Sequence, residues 1–299
     1  MPHVPLVIVN PTAGGGRAAR LVPWLRERLA ARPEAALYVT RRAGEGEAIA
    51  AEALGQGHDR IVAVGGDGTV QEVVNGLLST SSGIELGIVP VGTGNDLARS
   101  IGLPVDAAEA WRVAMGRSTR SIDAAHARNG DGVERWFASA GGVGFDAQVA
   151  AAMAARRGRG AGRAGYLLTT LGELRRFENR RVQITVDDER ITRDVLFVAI
   201  ANGAFYGGGM RIAPGARVDD GRLDVCVVGD ISRLTVLREL PNLYRGTHVR
   251  HPSVTMLAGQ TIAIEGDGAT RAHLDGEPFG TLPLDIRIVP SSLVVAAAV

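Results

Sequence analysis

With 299 residues, 45% of them hydrophobic and 22% charged, the chain is long enough for two domains with cores of their own and polar enough to be globular. Its formal net charge of +1 makes no case for nucleic acid as a partner. All 33 basic residues are arginine, and a chain without lysine has no Walker-type P-loop, no Schiff-base lysine and no protein-kinase strand lysine.

Val4 to Val9 is apolar but short, and no basic segment precedes it as a secretory signal would require. No run approaches the roughly 20 apolar residues of a membrane span, the tail Leu293 to Val299 included. A cytoplasmic location is therefore expected, with any membrane contact peripheral, at the inner membrane face. Leu6 to Val9 reads as the first strand, running into Asn10-Pro11-Thr12-Ala13-Gly14-Gly15-Gly16; Arg17 to Ala31 reads as a helix with Pro23 inside it. Ala36 to Val39 is the second strand, ending at Thr40, and Glu45 to Leu54 is helical. Arg60 to Val64 is the third, followed by Gly65-Gly66-Asp67-Gly68-Thr69 and a helix through Leu78. Glu85 to Val89 is the fourth, followed by Pro90-Val91-Gly92-Thr93-Gly94-Asn95-Asp96 and a helix to Ile101. Asp106 and Glu109 carry a capping-box signal for a helix ending near Gly116. Short apolar runs alternating with helical patterns argue for an α/β domain with a parallel sheet.

The pattern changes near residues 118–125 to strands, hairpin turns and few helices. Asn129-Gly130-Asp131-Gly132 reads as a hairpin turn, and Arg181 to Val186 pairs with Ile191 to Ala201 around Asp187-Asp188-Glu189. Further strands are expected at Leu223 to Val228, Val254 to Leu257, Thr261 to Glu265, Thr270 to Leu274 and Leu284 to Val289, which together suggest a mainly antiparallel β-sandwich. The single cysteine, Cys226, excludes an intrachain disulfide, and its apolar neighbours mark it as a buried thiol. The six histidines show no metal spacing with cysteine. Arg156-Arg157-Gly158-Arg159-Gly160-Ala161-Gly162-Arg163 reads either as a solvated loop or as a contact for anionic lipid headgroups. The expected domains are residues 1–122 and 123–285, with the last strand, 286–299, returning to the first domain.

Three glycine clusters follow strands of the parallel sheet, at residues 10–16, 65–69 and 92–96. Ligands of such sheets bind at the carboxyl ends of the strands, and glycine lets backbone N–H groups point at phosphate. One cluster alone is a weak signal, since glycine also makes turns without a ligand. Three on one edge, with Asp67, Thr69, Thr93, Asn95 and Asp96 among them, favour a nucleotide polyphosphate.

Gly65-Gly66-Asp67-Gly68-Thr69 resembles the signature of the diacylglycerol kinase-like catalytic domain, a superfamily that includes the NAD kinases. Pro90 to Ala98 is similar to the lipid-kinase version of the second loop, and Asn10 to Gly16 to its first loop. Asn202-Gly203 to Gly207-Gly208-Gly209, Pro214, Asp219-Asp220-Gly221-Arg222-Leu223-Asp224 and Leu274-Asp275-Gly276-Glu277-Pro278 also fit, in order. The resemblance, to the bacterial soluble lipid kinases of the diacylglycerol and sphingosine kinase group, implies transfer of the γ-phosphoryl of ATP to a lipid hydroxyl such as that of diacylglycerol. It implies that Asn10, Pro11, Thr12, Ala13, Gly14, Thr40, Gly66, Asp67, Gly68, Thr69, Val70, Gln71, Glu72 and Thr93 hold ATP, with Asp67 acting through Mg²⁺. It further implies a structural Mg²⁺ held by the Asp220 carboxylate and the main-chain carbonyls of Arg217 and Arg222. The partner would be a lipid at the membrane surface; the oligomeric state stays open, a homodimer being one option.

A lipid hydroxyl needs a proton acceptor, and no lysine and no histidine in a motif can serve. A carboxylate remains, and the family places Asp275 and Glu277 at the γ-phosphate. On a regular strand the two would face one side; a bend at Gly276 would separate them. The rivals are a NAD kinase-like enzyme, against which the Gly-Thr-Gly-Asn-Asp and Leu-Asp-Gly-Glu segments speak, and a non-catalytic lipid-binding regulatory protein. Loss of Asp67, Thr69 or Glu277 would mark the latter, and all three are present.

Overall fold

The computed structural model describes residues 4–80, 83–155 and 163–298. The chain divides into two compact units, Met1–Ile122 with Ser291–Val299, and Asp123–Pro290. The arginine-rich stretch lies outside the described residues except for the backbone of Arg163, where a helix begins.

The first unit is built on β1 (Pro5–Val9), β2 (Ala36–Val39), β3 (Arg60–Gly65) and β4 (Glu85–Pro90). They pair in parallel in the order β2-β1-β3-β4. Every residue of β1 and β3 is buried, the pattern of a sheet covered on both faces. Between and after the strands run α1 (Ala13–Leu29), α2 (Glu45–Glu52), α3 (Asp67–Ser79), α4 (Asp96–Ser100) and α5 (Ala107–Ala114). α1 is regular only after Gly14, Gly15 and Gly16, which all take positive φ. The Asp106 carboxylate caps α5, accepting from the N–H groups of Ala108 at 3.0 Å and Glu109 at 2.9 Å. Arg60 is wholly buried in the sheet; its guanidinium donates to the Ala114 carbonyl at 2.8 Å and pairs with Glu85.

The second unit is antiparallel. Its strands are β5 (Thr119–Asn129), which begins in the first unit, β6 (Glu134–Phe137), β7 (Ala140–Gly144), β8 (Arg180–Val186), β9 (Glu189–Ala201) and β10 (Leu223–Gly229). β11 (Val254–Gly259), β12 (Thr261–Gly266), β13 (Arg271–Leu274), β14 (Glu277–Thr281) and β15 (Leu284–Ala296) complete them. The long β9 organises the sheet: its first half pairs with β8, and its second half has β7 on one side and β10 on the other. Alternation along β9 and β10 sorts two cores. Val198, Ile200, Val225 and Val227 join Phe137, Ile184, Ile262 and Leu284 on one face. Phe197, Ala199, Cys226 and Val228 join Phe145, Val149, Leu174 and Val236 on the other.

That other face is covered by α6 (Phe145–Ala155), α7 (Arg163–Leu174) and α8 (Arg233–Arg245). These three helices exceed the reading of the second half as strands with few helices. α6 is alanine-rich with no apolar stripe, and α8 contains Pro241, so neither shows a clean helical period. β7 (Ala140-Gly141-Gly142-Val143-Gly144) also went unread, because glycine is a poor strand former. The end of β15 belongs to the first unit: Val295 pairs with Leu86 of β4 in parallel, and Ala297 N–H donates to the Ser118 carbonyl.

Candidate functional site

The three glycine-rich loops converge at the carboxyl ends of β1, β3 and β4. The N–H groups of Val91 and Gly92 both donate to the Gly65 carbonyl, at 2.7 and 3.2 Å, and Asn10 N–H donates to the Val64 carbonyl. Gly66 and Gly92 pass so close that a Cβ on Gly92 would lie 2.6 Å from the Gly66 Cα, so only glycine permits this approach. Arg17, the first residue after the triple glycine, ties the first loop to the last: its guanidinium donates to the carbonyls of Gly14, Val91 and Gly92.

Asp67 is the first residue of α3, whose N-cap is Gly66, so it does not cap its own helix. Its carboxylate instead accepts the N–H groups of Asn95 at 2.8 Å and Asp96 at 2.6 Å, bracing the loop that opens α4. Burial pushes the Asp67 carboxyl above its ordinary range, opposed by these hydrogen bonds and by the nearby Arg99. Thr69 is buried against Gly65, and its hydroxyl has no hydrogen-bond partner among the described residues.

The remaining residues expected at ATP divide into two groups. Asn10 lies at the loop start and its side-chain oxygen accepts from the backbone and hydroxyl of Thr12, at 3.1 and 2.8 Å. Pro11, Thr12, Gly66 and Thr93 lie on the loops, Ala13 and Gly14 at the start of α1 and Gly68 in the first turn of α3, and all are at least partly accessible. Thr40 is buried at the end of β2, its hydroxyl donating to the Val9 carbonyl at 3.3 Å. Val70 and Gln71 are buried in α3. Glu72 turns to α2, accepting the N–H groups of Gly44 and Gly46 at 2.8 and 2.9 Å, as an acidic group does at a helix N-terminus. Arg17 is the residue of this knot that the sequence reading lacks, although a cation directly following a glycine run is visible there.

In the second unit Asp275 and Gly276 form the two-residue turn between β13 and β14, with φ of 47° and 86° and Leu274 paired to Glu277. The bend option holds, and the two carboxylates part. The Asp275 carboxylate accepts three backbone N–H groups, from Ala138, Ser139 and Ala140 at 3.2, 3.1 and 2.9 Å. Glu277 is exposed at the start of β14.

Asp220 is exposed in the turn before β10, accepting the Arg222 N–H at 3.1 Å, and Arg217 lies earlier in the same turn beside Asp219. The buried Asp123 braces this turn, accepting the Gly221 N–H at 2.7 Å. Burial and the neighbouring Asp220 charge push the Asp224 carboxyl up, against the pull of Arg222. Among the described residues no three His, Cys, Asp or Glu side chains cluster to hold a metal.

The second unit also contains an open cavity of about 420 Å³ between α6, α7 and the starts of β8 and β13. Ala151, Ala152, Ala155 and Phe177 supply an apolar wall; Gln148, hydrogen-bonded to Glu173 at 2.7 Å, and Arg180 and Arg271 supply polar groups.

Residues 5–127 match the diacylglycerol kinase catalytic domain, and residues 139–297 match the YegS C-terminal NAD kinase beta sandwich-like domain. A diacylglycerol kinase of Mycobacterium tuberculosis is 32% identical over 291 residues, 96% of this chain and 93% of that protein. A YegS-like lipid kinase of Chromohalobacter salexigens is 31% identical over 288 residues, 94% of this chain and 91% of that one. The crystal structure of a diacylglycerol kinase from Bacillus anthracis str. Sterne superposes with a TM-score of 0.75 at 25% identity, covering 98% of this chain and 96% of the other. With both domains matched in order and whole-length similarity to these enzymes, the chain belongs to the diacylglycerol kinase-like lipid kinase family.

Proposed function

We propose that this chain transfers the γ-phosphoryl group of ATP to the hydroxyl of a membrane lipid, with diacylglycerol as the leading acceptor. The observation that carries the reading is the knot of three glycine-rich loops braced by Asp67. Loop N–H groups and the N-terminus of α3 supply the fixed positive field that a polyphosphate requires. Asp67 keeps acceptor capacity beyond its two N–H partners, since a carboxylate offers about four lone-pair sites. Its oxygens suit Mg²⁺, which binds through one or two carboxylates together with substrate phosphates, and the ion would offset the charge of the phosphates. A second Mg²⁺ at Asp220 and the carbonyls of Arg217 and Arg222 would stiffen the turn that Asp123 braces.

In the reaction the bond between the γ-phosphorus and the β–γ bridging oxygen breaks, a bond from the lipid oxygen to that phosphorus forms, and ADP leaves. The hydroxyl proton passes to a carboxylate. Glu277 fits that task better than Asp275, whose oxygens already accept three N–H groups. The cavity beside α6 and α7, with one apolar wall, is the proposed seat of the lipid. No helix of the described residues is long and apolar enough to cross a membrane, so the lipid would be met from the membrane surface.

Incubation with radiolabelled ATP and a lipid library, followed by mass spectrometry of the product, tests the reading; NAD serves as the rival acceptor. Asp67→Asn should retain its far-ultraviolet circular dichroism and lose phosphoryl transfer by orders of magnitude. Wild-type activity in that variant would defeat the nucleotide assignment, and labelled NADP would defeat the lipid acceptor.

A further inference from the structure

α8 is amphipathic in an unusual sense: its solvent face is apolar. Val236 and, in part, Leu243 turn inward to the core that also holds Phe145, Val149, Leu174 and Phe177. Arg233 donates to the Phe177 carbonyl at 3.3 Å, tying the helix to a residue of the cavity wall. The opposite side carries Leu234, Leu237, Pro241 and Tyr244, at spacings of three, four and three residues, which align on one helical face. Leu234 is 55% exposed, Leu237 38% and Tyr244 40%, three of the eight large apolar side chains most open to water among the described residues. Arg238 and Arg245 flank this stripe on one side and Arg233 on the other, all exposed. Against these three cations α8 holds one acid, Glu239, which is hydrogen-bonded to Asn242.

An apolar stripe bordered by arginine is the surface of a helix that lies in a lipid–water interface. Leucine side chains enter the acyl boundary, tyrosine sits at the headgroup level, and arginine stems lie along apolar surface while their guanidinium groups meet phosphate. We infer that the outer face of α8 docks the protein on an anionic phospholipid bilayer. Charge complementarity selects this occupant: the cationic border repels a second copy of itself and matches the negative leaflet. The inference rests on the lipid-kinase reading only for its purpose, namely bringing the chain to the phase in which its acceptor resides.

The test separates docking from chemistry. Wild type, Leu234→Ser/Leu237→Ser and Arg238→Ser/Arg245→Ser are sedimented with phosphatidylcholine vesicles, with and without phosphatidylglycerol, in the absence of ATP. Wild type should bind the anionic vesicles and little of the neutral ones. Each double variant should bind about tenfold or more weakly, the arginine pair by the loss of about two interfacial charges, and wild-type binding should fall with salt. Activity toward a short-chain diacylglycerol below its micelle concentration should be equal in all three proteins, as should the melting temperature. Equal vesicle binding by all three, or preference for neutral vesicles, overturns the inference. So does a wild-type dimer in sedimentation velocity that the leucine variant dissolves, because the stripe would then face another copy. Absence of activity on the soluble substrate in all three would count against the acceptor reading while leaving the vesicle result to decide docking.

Discussion

At the scale of single residues, three carboxylates of similar sequence context have different surroundings. Asp67 is half-buried with two N–H partners, Asp275 accepts three, and Glu277 is exposed. Glu277→Gln should therefore lower the catalytic rate by about 10²–10⁴-fold, the usual contribution of a general base, with ATP affinity unchanged. Asp275→Asn should act differently. It places an amide donor where three backbone donors point, and should lower the melting temperature as well as the rate. A rate loss in Asp275→Asn with unchanged stability, alongside a fully active Glu277→Gln, would exchange their roles. Cys226 is wholly buried, and its thiol pKa is pushed up to about 12 by burial and by the charge of Asp146. Because the folded value exceeds that of an unfolded thiol, about 8.5, the stability tied to this proton is intact below that pH. It falls by about 1.4 kcal/mol per pH unit above it, until pH nears the folded value. The loss should appear in denaturant melts of the wild type against Cys226→Ala, and a thiol reagent at pH 8 should label the native protein only as fast as it opens.

At the scale of elements, the loops that follow β1, β3 and β4 act as one body, because their backbones share acceptors and touch. Gly92→Ala tests this. Its Cβ would lie 2.6 Å from the Gly66 Cα and 2.7 Å from the Asn95 side-chain oxygen, so one loop must move. Strain of this kind costs about 1–3 kcal/mol, and nucleotide affinity measured by calorimetry should fall with it. Unchanged affinity would mean that the loops bind independently. The second unit shows how far strand patterns reach. The Asp187-Asp188 turn and the register Val186 to Glu189 follow the alternation in sequence, whereas β7 depends on pairing to β9 and β13 that no local residue encodes.

At the scale of the whole molecule, the chain crosses between its units twice, after Ile122 and after Pro290. The last crossing gives the first unit its final strand residues, with Leu293, Val295 and Ala296 buried. Truncation after Pro290 should destabilise that unit by about 3–6 kcal/mol, from the loss of one buried leucine and one buried valine at roughly 1.5–3 kcal/mol each. Chemical denaturation of the truncated and full chains would measure it. A midpoint unchanged for the truncated chain would mean that these residues add little to the sheet.

The four parallel strands, the glycine loops and the Asp106 cap were legible in the sequence because each depends on neighbours within a few residues. Apolar runs bury on both faces, glycine takes positive φ or close approach, and a capping acid meets N–H groups two and three residues on. The family motifs were legible for the same reason, as contiguous residues. Tertiary structure alone decided what those residues touch. Asp67 reaches Asn95 and Asp96, Glu72 serves α2 rather than a loop, and Asp275 is held by Ala138 to Ala140. Such partners lie from 26 to 137 positions away, and their selection follows from packing of whole elements. The exposed stripe of α8 belongs to the same class. Residues 233–245 show no clean helical period, and only the packed fold shows which of their apolar side chains meet water.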